Sequence, residues 1–295
     1  ADGANNDIKF QSNGSEVASI DQAGLLTATS FAGSGANLTG VGVDGISSSA
    51  NATAITIDSS ENVGIGITPS AFHSNRRALQ VGSASIYTAI DTPEYVSIGA
   101  NTYLDTSANP KYLTGTGKQA AEHKMHAGVH KFEVAAAGNA GATITWLTGM
   151  TIDNAGIVTK PLNPAFAARY SSSQTGDWGG VYFKPNNTAS FGCNVGSHYN
   201  SSNGKFTAPV AGSYMFSFSV RMDSLAGAYW YLDLEKNGTF MHRQLTDENN
   251  SYSNLMLSGV INLAANDYVQ AKITTAGDNA SSVIDESSWS GFLIG

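Results

Sequence analysis

Charged side chains are scarce in this chain: Asp, Glu, Lys and Arg make up 13% of 295 residues, about half the ~25% of an ordinary soluble protein. Helical bundles and coiled coils, which need charged helix formers along their solvent faces, are excluded. Basic residues are the scarcer sign, 15 Lys and Arg against 23 Asp and Glu for a formal net charge of −8. Neither nucleic acid nor an anionic membrane is therefore expected as the main partner. A single cysteine, Cys193, rules out an intrachain disulfide scaffold. The longest strictly apolar run covers only 228–232, far short of the ~20 residues of a membrane-spanning helix, so no membrane insertion is expected. No signal-peptide pattern is present and residue 1 is Ala rather than Met, which reads as a processed chain or part of a longer one.

Small uncharged residues fill the space instead. Between residues 22 and 57 the only charged side chain is Asp44, amid Gly, Ala, Ser, Thr and Asn. So little apolar surface leaves a lone chain unable to offset its conformational entropy, and reads as a flexible tether. Self-similarity gives a second reading. Ser19-Ile20-Asp21-Gln22-Ala23-Gly24-Leu25-Leu26-Thr27 recurs as Thr151-Ile152-Asp153-Asn154-Ala155-Gly156-Ile157-Val158-Thr159. A looser copy is Thr56-Ile57-Asp58-Ser59-Ser60-Glu61-Asn62-Val63-Gly64-Ile65-Gly66. Each copy reads as strand, Asp/Asn/Gly turn, strand. One such unit is marginal in water, but three chains winding together would bury the thin apolar stripes and pair the exposed edges. Residues 1–67 are thus expected as an intertwined fibre shaft, with the tether as the alternative.

Residues 68–160 are denser and read as a small β-rich shaft or intermediate domain. Strands are predicted at 95–98, 111–114, 129–134 and 142–147, while 117–126 has some helical propensity but no start signal. Pro161-Leu162-Asn163-Pro164 marks a boundary, because paired prolines favour extended chain and break strand pairing. Beyond it, in 161–295, alternation is clean: Tyr214, Phe216, Phe218 and Val220 share one strand face. Segments 228–234 and 255–263 behave similarly, and Asn237-Gly238 is a strong hairpin signal. About eight to ten short strands in roughly 130 residues argue for an antiparallel β-sandwich or jelly roll.

Within that segment Asn194, Tyr199, Phe206, Gly212, Tyr214, Phe216 and Phe218 stand at the intervals of a known signature. It belongs to the globular head of the first complement component (subcomponent q), within the tumour-necrosis-factor-like jelly-roll superfamily. Thr188 replaces the signature's opening Phe. Pro164-Ala165-Phe166, the block from Gly204 to Gly212 and the ending Trp289-Ser290-Gly291-Phe292-Leu293-Ile294 also resemble this family, so the likeness covers about 164–295. It implies a compact ten-stranded homotrimer that recognises partners through surface loops without catalysis. Upstream, Glu61-Asn62-Val63-Gly64-Ile65-Gly66-Ile67-Thr68-Pro69 is similar to a motif of bacteriophage tail-fibre and other virion fibre proteins. So is the run from His130-Lys131-Phe132 through Gly141-Ala142-Thr143-Ile144-Thr145 to Met150-Thr151-Ile152-Asp153. Together the resemblances imply an all-β protein, an intertwined trimeric β-rich fibre shaft followed by a jelly-roll β-sandwich knob. The expected role is a non-enzymatic homotrimer on a phage virion. Its N-terminal end would join other virion proteins, and its distal knob would bind a glycan or protein of the bacterial host surface. A capsid or tail decoration fibre without receptor role, and a secreted bacterial adhesin with a complement-type head, are the alternatives.

Chemistry-bearing residues are few. His123, His126 and His130 would share one helical face beside Glu122 and make a metal candidate. Ala127-Gly128 argues instead for strand–turn–strand, in which alternation scatters them. Cys193 is expected to be a small packed residue. Tyr229 and Tyr231 are expected to point one way and Trp230 the other. No Gly-x-Ser-x-Gly elbow or complete dinucleotide fingerprint occurs. If the knob follows its family, loops 222–228, 244–252 and 276–287 gather opposite the chain ends. Asp247, Glu248, Asn249, Asn250, Tyr252, Asp278, Asn279, Asp285 and Glu286 are then the partner-binding candidates. Their acidic pairs also raise calcium; no other cofactor is expected.

Overall fold

The computed structural model describes residues 8–28, 54–190, 192–225, 229–247, 252–276 and 281–295. They form strands, turns and extended links, with no helix among the described residues. The chain divides into two units, Ala1–Thr53 and Ala54–Gly295. In the first, β1 (Ile8–Ser12), β2 (Ser15–Ile20) and β3 (Leu26–Ala28) make an antiparallel meander. Asn13 and Gly14, at φ 52° and 80°, supply the left-handed residues that a two-residue hairpin turn requires. Ile8, Phe10 and Val17 are all exposed. Of the stretch read as fibre or tether, residues 1–7 and 29–53 lie outside the described residues.

The second unit opens with a nine-stranded sheet built from 55–159. In chain order its strands and their covering hairpin are β4 (Ile55–Ile57), β5 (Val63–Ile65), β6 (Arg76–Val81), β7 (Ala84–Ala89), β8 (Val96–Ala100), β9 (Thr102–Leu104), β10 (Pro110–Tyr112), β11 (Lys118–His126), β12 (Val129–Gly138), β13 (Leu147–Ile152) and β14 (Val158–Thr159). The sheet order is β14-β13-β12-β11-β8-β7-β6-β5-β4, with β9 and β10 paired separately; only β5–β6 is parallel. The strands at 55–57 and 63–65, read from sequence with the shaft, are thus members of this sheet. Residues 118–126 form a strand despite their helical propensity, because β11 is hydrogen-bonded on both sides and tertiary pairing overrides a weak local preference. In 142–147 only an isolated bridge forms, Thr143 to Lys111, and β13 begins at Leu147.

The repeated motif has one geometry. Asp153 N–H donates to Ile157 O and its Oδ1 accepts from the N–H groups of Ala155 (2.9 Å) and Ile157 (2.8 Å). Asp58 does the same for Ser60 and Asn62, and Asp21 for Leu25. A fourth copy, hidden in the sequence, is centred on Asp105, which accepts from Ser107 and Asn109. The fourth residue of each turn is left-handed: Gly24, Glu61, Ala108 and Gly156.

The remaining strands are β15 (Ala165–Arg169), β16 (Gln174–Gly176), β17 (Val181–Tyr182), β18 (Cys193–Val195), β19 (Tyr199–Asn200), β20 (Lys205–Thr207), β21 (Gly212–Asp223), β22 (Tyr229–Lys236), β23 (Thr239–Thr246), β24 (Tyr252–Leu263), β25 (Tyr268–Ala276), β26 (Ser281–Val283) and β27 (Ser288–Leu293). One sheet runs β16-β26-β21-β27-β15-β18, with β24 on the free side of β21; the other runs β19-β20-β25-β22-β23, with β17 on β25. Between them lies the aromatic core. Phe166 stacks on Tyr199 and Phe206 (4.7 and 5.1 Å between centroids), and Phe216 on Trp289 (5.3 Å). Tyr214, Phe216, Phe218 and Val220 are all buried, as their alternation requires. Asn194 closes its loop by accepting from Tyr199 N–H and donating to Tyr199 O.

Candidate recognition surfaces

Strand direction sorts the ends of the sandwich. Pro164 O accepts from Leu293 N–H and Gly295 O from Ser213 N–H, so both ends of the domain meet at a base. Asp223 pairs with Tyr252, Tyr229 with Ala276, and Trp230 with Thr246, which puts the last residues of β21, β23 and β25 at the opposite end. Here Arg221 is the organiser. Its guanidinium donates to Glu286 (3.0 Å) and Asp223 (3.3 Å) and stands 5.4 Å over the Tyr252 ring. Its N–H donates to the buried Ser287 hydroxyl (2.9 Å). Hydrogen bonding to Glu286, then the charge of Asp223, pushes the Arg221 pKa further up. Tyr252 is 63% exposed, an aromatic face presented beside a charged cluster.

Of the sequence candidates, Tyr252, Asp285 and Glu286 therefore stand at this end, and Asp247 is exposed beyond β23. Glu248, Asn249, Asn250, Asp278 and Asn279 lie outside the described residues. Arg221 and Asp223 are additions from the structure; outward alternation in β21 is their only signal in the sequence. Glu286 is engaged by Arg221, and among the described residues no three His, Cys, Asp or Glu side chains gather as metal ligands.

The histidines do not share a face. Strand register puts His123 and His130 on one side of the nine-stranded sheet, Nε2 to Nδ1 3.2 Å apart, with His123 stacked on Phe132. His126 lies on the other, 5.6 Å from Tyr95. A strand rotates successive side chains by half a turn, so the helical spacing brings only two of the three together. Cys193 is exposed rather than packed: in β18 it pairs with Ala167 and shares that residue's outward side. Trp230 is buried, donating to Ser253 Oγ (3.1 Å), while Tyr229 and Tyr231 stack on the outer surface.

The outer side of the β15-β27-β21-β24 sheet carries three registered rows: Ala165–Phe292–Met215–Val260, Ala167–Ser290–Ser217–Ser258 and Arg169–Ser288–Ser219–Met256. Only the row nearest the tip includes a charge. Residues 165–294 match the family model described as the C1q domain. This segment is similar to that family. The C1q-like domain is similar to the globular domain of zebrafish complement 1qA, at 20% identity over 45% of this chain and 98% of that one, TM-score 0.36. Murine APRIL at pH 8.0 matches at 13% identity over 44% and 98%, TM-score 0.35. Eiger TNF from S. frugiperda matches at 10% over 46% and 94%, TM-score 0.36.

Proposed function

We propose that the chain is a non-enzymatic, homotrimeric structural fibre of a phage virion whose distal C1q-like knob binds the bacterial host surface. The observation that carries this reading is the polarity of the knob. Its chain ends meet at the base, an Ala/Ser/Met face charged only at Arg169 in its three rows runs along one sheet, and the Arg221–Glu286–Tyr252 cluster stands at the far end. A charge-poor face with Val260 and Phe292 about half exposed suits close packing between copies, since obligate interfaces are apolar and depleted of charge. The far end suits recognition, because loops on a rigid sandwich carry binding residues without disturbing the core. Segments 61–69 and 130–153 support the fibre reading through their likeness to virion fibre proteins.

Fluorescently labelled full-length chain, incubated with a panel of bacterial cells, tests the receptor role. Attachment that is lost in Arg221→Ala and Tyr252→Ala variants of unchanged native mass supports the reading. Attachment to no cells, or attachment untouched by either change, removes the host-binding role and leaves a decoration fibre.

A further inference from the structure

The nine-stranded sheet has apolar residues on both sides, but only one side is covered: there Phe72, Ala78, Tyr87, Leu104, Tyr112 and Ile144 form two small clusters. The side covered by its own loops and the β9–β10 hairpin holds Gln80, Ser85, Ser97, Glu122 and Glu133, all buried. Glu122 accepts from Tyr87 (3.1 Å) and Ser97, and Lys124 bridges Glu133 (2.8 Å) and Glu122 (3.8 Å). Burial, reinforced by the Glu122 charge, pushes the Tyr87 hydroxyl well up. The other side is apolar and open. One row crosses eight strands as Ile57–Val63–Leu79–Ile86–Ile98–His123–Phe132–Met150. Beside it runs Ile55–Ile65–Val81–Ala84–Ala100–Ala121–Val134–Leu147. These rows contain no Asp, Glu, Lys or Arg, yet Leu79, Ile86, Ile98 and Phe132 are 36–46% exposed. A third row runs Arg77–Thr88–Val96–Met125–His130–Ile152, with its one charge, Arg77, paired to Glu61 at 3.0 Å.

We propose that this face is buried against the same face of further copies of this chain, forming an assembly interface separate from the C1q-like domain. Size supports the assignment. With strands ~4.8 Å apart and rows ~6.6 Å apart, two rows across eight strands and a third that is apolar across four cover on the order of 550 Å². That is at the top of the range for the largest apolar patch of a typical monomer, about 300–600 Å² and often functional, and is roughly two thirds of the ~800 Å² per partner of a standard stable interface. Chemistry selects the occupant. A transient partner's site is no more apolar than ordinary surface, whereas copies of one chain bury more apolar, charge-depleted faces against each other. The buried carboxylates and serines on the opposite side are satisfied within the chain, so they cannot exchange places with the apolar rows. The interface rests on the homotrimer reading but assigns it a second, independent contact.

Thiol labelling in the full-length chain tests it. In a Cys193→Ser background, Ile98→Cys places a small thiol mid-row, and Ser107→Cys on the exposed Asp105 turn serves as reference. Maleimide should modify residue 98 at least about 100-fold more slowly than residue 107, with protection lost in denaturant. Native mass is read on the same samples. Equal labelling rates at the mass of three chains overturn this interface and leave the homotrimer standing. A monomer mass overturns the homotrimer, and a monomer in which residue 98 is still protected shows that something other than a second copy covers the face.

Discussion

Gly291 sits where two buried aromatic rings leave room for a hydrogen atom and nothing larger. A Cβ there would lie 2.5 and 2.7 Å from Phe216 Cδ1 and Cε1 and 3.0 Å from Phe166 Cε1. Neither ring can retreat: Phe216 is stacked on Trp289 and Phe166 on Tyr199 and Phe206, all within the core. Overpacking of this kind costs about 1–3 kcal/mol, against about 0.4–1 kcal/mol gained by stiffening the unfolded chain. Gly291→Ala should therefore destabilise by about 1–2 kcal/mol, with a fall in Tm of about 3–4 °C per kcal/mol for a unit of roughly 130 residues. Gly176 is the control, since a Cβ at that position would meet nothing within 4 Å; Gly176→Ala should leave Tm unchanged or slightly raised. Adding Phe216→Leu to Gly291→Ala should recover part of the loss, a coupling of about 0.5–3 kcal/mol in a double-mutant cycle. Thermal unfolding of all variants at one protein concentration reads the result. Gly291→Ala indistinguishable from Gly176→Ala would refute the packing argument.

Three further outcomes follow from local geometry. Asp153→Ala removes the acceptor for Ala155 and Ile157 N–H, and should cost about 1 kcal/mol and speed amide exchange at 155 and 157; unchanged exchange would contradict the turn. Ala108 occupies the left-handed slot (φ 61°) that Gly156 fills in the related turn (φ 79°). Ala108→Gly should raise, and Gly156→Ala lower, stability by about 1 kcal/mol in denaturant titrations. The Lys236 ammonium, the Asn237 amide and Ala264 N–H hold the Asp267 carboxyl at about 2. A folded-state value below the ordinary ~3.9 contributes stability that is present above pH 4 and lost between about pH 4 and 2. Asp267→Asn should flatten that part of the denaturation-midpoint profile, and an unaltered profile would exclude the ion pair.

The knob is legible in the sequence because its long strands alternate with bulky aromatics: residues 214–220 announce which side is core. Cys193 is misleading because β18 has three residues, too few for a period, and only its pairing with Ala167 fixes its side. The Asp105 turn is hidden because Ala108 stands where glycine marks two of the related turns. Arg221 and Glu286 meet only through the register of β26 and β27 against β21, a contact between distant segments that no local pattern encodes. The nine-stranded sheet misleads most. In Arg76-Arg77-Ala78-Leu79-Gln80-Val81 the buried residues are Ala78 and Gln80 and the open ones Leu79 and Val81, the reverse of what a lone chain's alternation implies. An apolar side facing outward makes sense once more than one chain is counted.

The native mass of the full-length chain, by light scattering after size exclusion, tests the central claim most directly. Three copies of a 30.7 kDa chain, about 92 kDa, are expected. A mass of one chain at every concentration would contradict the trimeric fibre and leave the apolar sheet face without a partner.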